Sequence, residues 1–205
     1  MSSAEFNTGP DAAPRDGSGE GPAAGPLDPE TVAWLLAEAR RTLVAELRGE
    51  ADEPAPAPAA VEQSRGLFVT LRRGGELRGC IGHSEARAPL REAIRELALA
   101  ASRDRRFEPV TAAELDALRI ELSILTPLEE IDGPGDVEIG RDGLLIRGQG
   151  RAGLLLPQVA TSRGWSPVEF LAWTCHKAGL DAEAWRLPAT RLYRFQCQIV
   201  EEPTR

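Results

Sequence analysis

The stretch GLFVTLRRGGELRGCIG, residues 66–82, decides the fold of this chain, because it contains two extended runs joined by a glycine pair. Residues 67–71 are apolar or β-branched and predict a strand, and residues 76–81 predict the strand that returns beside it. Gly74 and Gly75 lie between the two runs, and such a dipeptide readily adopts the positive φ angles of a tight turn. The stretch therefore predicts a β-hairpin.

Hydrophobic periodicity predicts the elements on both sides of the hairpin. Asp28 followed by Pro29 is a typical helix start, and the spacing of Thr111 to Glu114 is that of a capping box. The predicted helices are 29–48, 89–103, a short one that begins at 111, and 166–177. The predicted strands are 120–125, 137–139, 144–147, 154–156 and 193–199. This irregular order, dominated by hairpins, favours an α+β fold with a mixed or antiparallel sheet flanked by helices.

The formal net charge of −8 is unevenly distributed along the 205 residues. Residues 1–29 contribute −4 and residues 49–64 contribute another −4, whereas residues 65–205 hold twenty bases and twenty acids. The acidic total therefore indicates little about the partners of the folded part.

Two segments have the composition of unfolded chain. Residues 1–26 are mostly Gly, Pro, Ala, Ser and acids, and we predict them to be disordered, because they cannot bury enough apolar area to offset their ordering entropy. They show no cationic start and no apolar core, so they do not predict a signal peptide. Residues 50–64 predict a Pro/Ala/acid linker within a single domain that spans 27–205.

The three cysteines, Cys80, Cys175 and Cys197, are an odd number without a disulfide framework. This favours a reduced, cytoplasmic protein, and Cys197 is predicted to lie in the core. No metal is expected, because the C-x-x-H at Cys80 and the adjacent Cys175 and His176 lack the paired ligand spacing of a structural zinc site. No membrane-spanning segment is expected either, since the apolar runs are too short.

The pattern GQGRAG at 148–153 matches G-x-G-x-x-G after a predicted strand. A dinucleotide loop needs a helix N-terminus beneath the pyrophosphate, whereas the residues LLLP at 154–157 predict a strand that ends at a proline. The pattern is therefore interpreted as a hairpin turn, and no cofactor is expected.

Cys80 is the candidate nucleophile. Gly79 and Gly82 bracket it and leave the backbone near the sulfur open to a ligand. Arg78 lies two residues earlier, so on a regular strand both side chains project from one face, and a guanidinium lowers the pKa of a thiol. His83 is close enough in sequence to accept the proton. The alternative is that Cys80 is a small core residue in a tight strand pair.

The surroundings of Cys80 are rich in arginine. Residues 65–106 hold ten arginines and five acids, a local charge of +5. This charge suits an anionic substrate or a nucleic-acid phosphate, or it belongs to a solvated helix face. Asp104 and Arg106 lie beside Phe107 after the second predicted helix, where the pair either anchors the helix end or presents a fork to a carboxylate or phosphate.

These residues resemble the AMMECR domain, whose bacterial and archaeal versions are known as AmmeMemoRadiSam system protein A. The resemblance covers residues 27–202 and rests on motifs in order: GLFVTL at 66–71, GELRGCIG at 75–82, PL at 89–90, Asp104 with RF at 106–107, ELSIL at 121–125, GLLLPQV at 153–159 and KAGL at 177–180.

The resemblance implies one α+β domain made of a larger and a smaller subdomain with a cleft between them. It implies that residues 77–82 are the signature, and it adds Gln158 to the substrate-binding candidates Arg78, Gly79, Gly82, Asp104 and Arg106. It also implies a place beside a Memo-type protein and a radical SAM enzyme in a shared modification pathway.

Three hypotheses about function follow. In the first, the protein is an enzyme or enzyme component that uses Cys80 as nucleophile or carrier on an anionic small molecule or a modified macromolecule. In the second, it is a non-catalytic module that presents a substrate or docks onto a Memo-like or radical SAM partner. In the third, it binds RNA, which ranks last because the basic stretch lacks interleaved aromatic residues.

Overall fold

The computed structural model describes residues 25–51 and 55–203. The tail predicted to be disordered lies outside the described residues except for Gly25 and Pro26, and so do residues 52–54 of the predicted linker.

The described residues form two compact units: 25–51, 55–124 and 198–203 make the first, and 125–197 make the second. Their helices are α1 (Pro29–Arg48), α2 (Leu90–Ser102), α3 (Pro157–Arg163) and α4 (Pro167–Lys177). Their strands are β1 (Leu67–Arg73), β2 (Glu76–His83), β3 (Leu118–Leu125), β4 (Glu129–Ile131), β5 (Gly143–Gly148), β6 (Arg151–Leu155), β7 (Arg191–Phe195) and β8 (Cys197–Glu201).

The first unit is built on the predicted hairpin. Strands β1 and β2 pair antiparallel around Gly74 and Gly75, which have φ of 58° and 85°. Strand β1 also pairs antiparallel with β3, and the order across the sheet is β2-β1-β3-β8. Leu67, Val69 and Leu71 point to one face of β1 and lie in a core shared with α1 and α2, as the period of two in a strand requires.

Helices α1 and α2 cover that face of the sheet. α1 begins where the sequence predicts, because the Asp28 carboxylate accepts the amide of Thr31 at 2.9 Å, and it ends at Gly49 in the left-handed conformation. Ion pairs join Glu38 to Arg95 and Glu46 to Arg103. The two pairs have the same separation along the chain, which means that the helices run parallel.

The second unit has a sheet of its own, in the order β4-β7-β5-β6 with antiparallel pairs. Strands β5 and β6 form a hairpin whose turn contains Gln149 and Gly150, both at positive φ. The predicted hairpin turn at 148–153 is thus confirmed. Helix α4 packs on β6 and β5 and starts with the predicted capping box, in which Ser166 and Glu169 exchange hydrogen bonds.

The α+β class is confirmed, and the sheets are antiparallel. Residues 137–139 are not a strand; the strand of this region is β4, which precedes a 3-10 turn at Pro134–Asp136. The single strand predicted over 193–199 is two strands, β7 and β8, in different sheets. They separate at Gln196, which exchanges hydrogen bonds with Thr126.

Two further differences concern local signals. Pro157 does not merely end a strand but opens α3, because proline is tolerated in the first turn of a helix. Part of the predicted linker is a 3-10 helix, Ala59–Glu62, in which Val61 is buried in the core of the first unit. Among the described residues, no helix is both long and apolar enough to cross a membrane.

The approach of β6 to α4 is close enough to exclude a side chain at Gly153. A Cβ placed there would lie 2.4 Å from the amide nitrogen of Ala178 and 2.8 Å from its Cα. We expect Gly153→Ala to lower the free energy of unfolding by about 3 kcal/mol, because backbone must shift to make room. Gly135→Ala is the matched control, since nothing lies within 4 Å of a Cβ there. Urea unfolding of both variants measures this, and equal stabilities would contradict the packing argument.

Candidate functional site

The signature residues 77–82 lie in β2, where Cys80 is fully buried, with 0% of its surface exposed. Cys80 pairs with Thr70 of β1, and its Sγ lies 3.1 Å from the Thr70 hydroxyl. Glu121 of β3 pairs with Thr70 from the other side. The thiol is thus in a row of cross-strand neighbours, with a hydroxyl as its hydrogen-bonding partner.

The two bracketing glycines are explained by packing. A Cβ at Gly79 would lie 2.1 Å from the carbonyl oxygen of Ala101 in α2. A Cβ at Gly82 would lie 2.3 Å from the ring of Phe68. Sequence reasoning expected these glycines to leave room for a ligand. In the structure, a helix backbone and an aromatic ring occupy that room.

Asp104 and Arg106 complete the hydrogen bonding of the outer edge of β2. The Cys80 amide donates to Asp104 Oδ2 at 2.9 Å, and the Arg106 guanidinium donates to the Cys80 carbonyl at 3.1 Å. Arg106 also binds Asp104 at 2.7 Å. Together the two side chains hydrogen-bond to Cys80 as a neighbouring strand would. The sequence left two roles open for this pair, a structural anchor and a fork for a carboxylate or phosphate, and these hydrogen bonds are those of an anchor.

The environment of Cys80 favours the protonated thiol. Burial raises the pKa of Cys80, and the hydrogen bond between Cys80 and Thr70 and the charge of Arg106 only partly offset this, while Glu121 and Asp104 raise it further. Asp104 behaves in the opposite way. Burial alone would raise its pKa, but the hydrogen bonds from Arg106 and from the Cys80 amide outweigh it and hold the pKa below its usual value.

Arg78 does not share the face of Cys80. The pairing of β1 with β2 shifts between Leu71 and Arg72, so that Gly79 faces Leu71 while Leu77 already faces Arg72. Arg78 is the additional residue of this β-bulge, and a bulge breaks the alternation of side chains on which the sequence expectation relied. The predicted lowering of the thiol pKa by Arg78 is therefore wrong.

Arg78 instead links β2 to the 3-10 helix Ala112–Ala117 and to the segment before it. Its guanidinium binds the Glu114 carboxylate at 2.8 Å and donates to the carbonyl of Glu108 at 2.6 Å and that of Pro109 at 3.3 Å. The hydrogen bond from Arg78, together with those from Thr111, lowers the pKa of Glu114 to about 2, against the opposing effect of burial. Glu114 could be found in the sequence only as part of the capping box.

His83 and Gln158 lie elsewhere. His83 ends β2 and pairs with Leu67, whose side chain lies on the core face of the sheet. Since side chains alternate along β2, His83 and Cys80 point to opposite faces, and the structure does not bring them together as nucleophile and base. Gln158 is exposed in α3, which belongs to the second unit.

The arginine-rich stretch 65–106 is largely neutralised by ion pairs. Five of the six carboxylates in these pairs come from outside the stretch. The pairs are Arg72–Glu121, Arg73–Glu114, Arg78–Glu114, Arg91–Glu62, Arg95–Glu38, Arg103–Glu46 and Arg106–Asp104. The +5 counted along the chain is therefore not the charge that this region presents to a ligand.

Neither candidate metal pattern gathers ligands. Within residues 25–51 and 55–203, no group of three or more His, Cys, Asp or Glu side chains is placed to hold a metal ion. Cys175 is buried in α4, where burial raises its pKa, while His176 is exposed. Cys197, expected in the core, is only half-buried.

Sequence reasoning missed an aromatic surface on α4. Trp173 is exposed and stacks on Trp165, with ring centroids 5.3 Å apart and planes at 7°. His176 lies 5.3 Å from Trp173 on the same helix. The helical spacing of these residues could have shown the surface in the sequence, but spacing does not tell an exposed face from a core face.

Comparisons with known proteins agree on one family. The AMMECR1 family model matches residues 36–200. A protein of Methanothermobacter thermautotrophicus is 45% identical over 186 residues, which cover 86% of this chain and 97% of that protein. A protein of Thermofilum pendens is 41% identical and covers 88% and 93%. The crystal structure of an uncharacterized protein of Pyrococcus horikoshii is 41% identical, with a TM-score of 0.73 over 82% of this chain and 90% of that one.

The Arg78–Glu114 clamp predicts a pH dependence. Because the pKa of Glu114 is lowered in the folded state, its stabilisation is complete above the ordinary value of 4.5 and is lost as the pH falls towards 2. At pH 7 we expect Glu114→Gln to lower the free energy of unfolding by about 2 kcal/mol. Near pH 2 the difference between variant and parent should largely disappear.

Urea unfolding at a series of pH values measures this difference directly. The control is Glu76→Gln, a substitution of an exposed residue at the start of β2, the strand that contains Arg78. Its free energy of unfolding should differ little from that of the parent at any pH. A deficit in Glu114→Gln that stays constant from pH 7 to pH 2 would contradict the assignment.

Proposed function

The chain belongs to the AMMECR1 family, and from this premise we propose that it acts as a non-catalytic module that presents a substrate or docks onto a partner protein. The observation that supports this choice is the complete burial of Cys80. A nucleophilic or carrier cysteine needs a thiolate that a substrate can reach. Cys80 lacks both properties, because its sulfur is enclosed and burial raises its pKa.

In this proposal the signature residues 77–82 maintain the fold that carries the binding surface. Gly79 and Gly82 permit the close packing of β2, and Arg78 fixes its start. Asp104 and Arg106 satisfy the edge of the strand at Cys80. A substitution at Gly79 or Gly82 would therefore reduce binding through loss of the fold.

The partners we propose are those that the family resemblance suggests, a Memo-type protein and a radical SAM enzyme. Of the residues predicted to bind a ligand, Gln158 is exposed, and the Arg106 side chain is 29% exposed. We assign Arg106 of the first unit and Gln158 of the second, each taken by itself, to contact with an anionic substrate or a partner. Cys80 takes no chemical part in the proposed function.

Alkylation of the folded protein tests whether the Cys80 thiol is inaccessible and unreactive. We expect iodoacetamide at pH 7.5 to modify the half-buried Cys197 first and to leave Cys80 and Cys175 unmodified until the protein unfolds. Peptide mass spectrometry with and without denaturant resolves the three sites, and Cys175, which is equally buried, is the internal control. Native labelling of Cys80 ahead of Cys197 would refute the module and favour an enzyme.

Binding tests the module itself. Cys80→Ser preserves a hydrogen-bonding group opposite Thr70, and we expect it to bind the purified Memo-type protein or radical SAM enzyme of the same genome with the parent's Kd, within about twofold. Calorimetric titration of parent and variant gives both values. If the parent binds neither protein, the proposal that they are its partners is refuted. If Cys80→Ser folds normally but the modified product of the pathway is no longer formed, the non-catalytic role is refuted.

A further inference from the structure

Strand β8 is the outer strand of the sheet in the first unit. Among the described residues, the order β2-β1-β3-β8 gives it a single neighbour, β3. The Thr126 amide donates to the Gln196 carbonyl at 2.9 Å, and the Glu202 amide donates to the Ile120 carbonyl at 3.0 Å. These two points lie six residues apart on both strands, so β8 and β3 run antiparallel with no bulge between them.

This pairing determines which backbone groups of β8 point outward. In an antiparallel pair, residues that exchange hydrogen bonds alternate with residues whose backbone groups point away from the neighbouring strand. Gln196 and Glu202 bond to β3, and the even-numbered residues between them therefore face β3 as well. The amide and carbonyl groups of Ile199 and Glu201 consequently point to the outer edge of the sheet.

The opposite edge of the same sheet is closed. In β2, the bulge at Arg78 interrupts the regular pairing, and Asp104 and Arg106 hydrogen-bond to the backbone of Cys80. Such features protect an edge strand from pairing with another chain, as do proline and lysine within the strand. The sequence CQIVE of β8 contains neither proline nor lysine, and its pairing with β3 is regular.

Ile199 adds an apolar side chain to this edge. It is 39% exposed, and of the residues described in the first unit it is the one large hydrophobic side chain that is exposed. Val200 packs against the core that α1 and α2 cover, so Ile199, one residue earlier, projects from the other face of the sheet. The edge thus combines outward backbone groups with an exposed β-branched residue, as is typical of strands that pair between molecules.

We propose that β8 pairs antiparallel with β8 of a second copy of this chain, across a two-fold axis at Ile199. Each Ile199 amide then donates to the Ile199 carbonyl of the other copy, and the two side chains lie beside one another. The interface is isologous, because both copies contribute the same strand. The pairing joins two sheets of four strands into one sheet of eight.

Charge favours a second copy in this register. With the axis at Ile199, Glu201 lies across from residue 197 of the other copy, and the two Glu201 residues are about 14 Å apart along the strands. With the axis at Val200, the two Glu201 residues would be diagonal neighbours, about 7–8 Å apart. Like charges at the shorter distance repel, so the pairing at Ile199 is the more stable of the two.

The expected dimer is weak. Two paired strands of five residues bury much less than the about 1,200–2,000 Å² of a stable complex. We therefore expect a reversible association with a Kd of about 10–1,000 µM. This inference goes beyond the proposed function and does not depend on it, because it concerns a contact between two copies of the chain.

Sedimentation equilibrium of the full-length protein over this concentration range tests the association. We expect Ile199→Pro to raise the Kd about 25-fold, because proline removes both hydrogen bonds at the axis and each is worth about fivefold. The Ile199 amide points away from β3, so the melting temperature should change little. Ile199→Val keeps the amide and an apolar β-branched side chain, and this matched control should leave the Kd within about twofold.

A disulfide tests the position of the axis. Hydrogen-bonded residues of antiparallel strands have Cα atoms about 5.5 Å apart, a distance that a disulfide spans. Under mild oxidation we expect Ile199→Cys to form a covalent dimer through residue 199 of both copies, identified by peptide mass spectrometry. Leu187→Cys, which replaces another exposed apolar residue, is the control and should form little covalent dimer.

Three results would overturn the inference. The first is a parent protein that stays monomeric over the whole concentration range. The second is a dimer whose Kd does not change in Ile199→Pro while that variant remains folded, which would place the contact on another surface. The third is a covalent dimer that Ile199→Cys forms no more readily than Leu187→Cys, and this comparison decides the matter if Ile199→Pro does not fold.

Discussion

The close approach of β2 to α2 at Gly79 is the constraint on which the first unit depends. Because only glycine fits against the Ala101 carbonyl, the end of α2 can lie directly beside the edge of β2. This position brings Asp104, three residues past Ala101, to the Cys80 amide, and Arg106 to the Cys80 carbonyl. A helix held farther away would leave both backbone groups of Cys80 without these partners, at a cost of about 1–3 kcal/mol each if they stayed buried.

Burial determines the chemistry of Cys80. Its side chain lies on the Thr70 side of the sheet, opposite to Gly79 and α2, and burial there disfavours the charged thiolate more than Arg106 and Thr70 favour it. A nearby guanidinium lowers the pKa of a thiol only when desolvation does not dominate. Here Arg106 is directed to a carbonyl and a carboxylate, so its charge stabilises the strand edge rather than a thiolate.

Local signals in the sequence predicted much of the fold and less of the site. The hairpin around Gly74 and Gly75 and the start of α1 at Asp28 depend on neighbours in the chain, and both are confirmed. The position of Arg78 depends on a bulge, a feature of pairing with β1 that the sequence of β2 does not show. The neutralisation of the arginines depends on carboxylates from distant segments, such as Glu38 and Glu121. Counting charge along the chain cannot include them.

A cysteine between two glycines favours a reactive site when each residue is considered separately. Glycine serves a ligand and a packed helix equally well, since both need the space that a Cβ would fill. What separates the two cases is the identity of the atoms in that space, here the Ala101 carbonyl and the Phe68 ring. Both are protein atoms that must be present for the fold to form. A chain in which residues 77–82 served chemistry would need that space open to solvent, and it would then lose the contacts that hold β2 against α2.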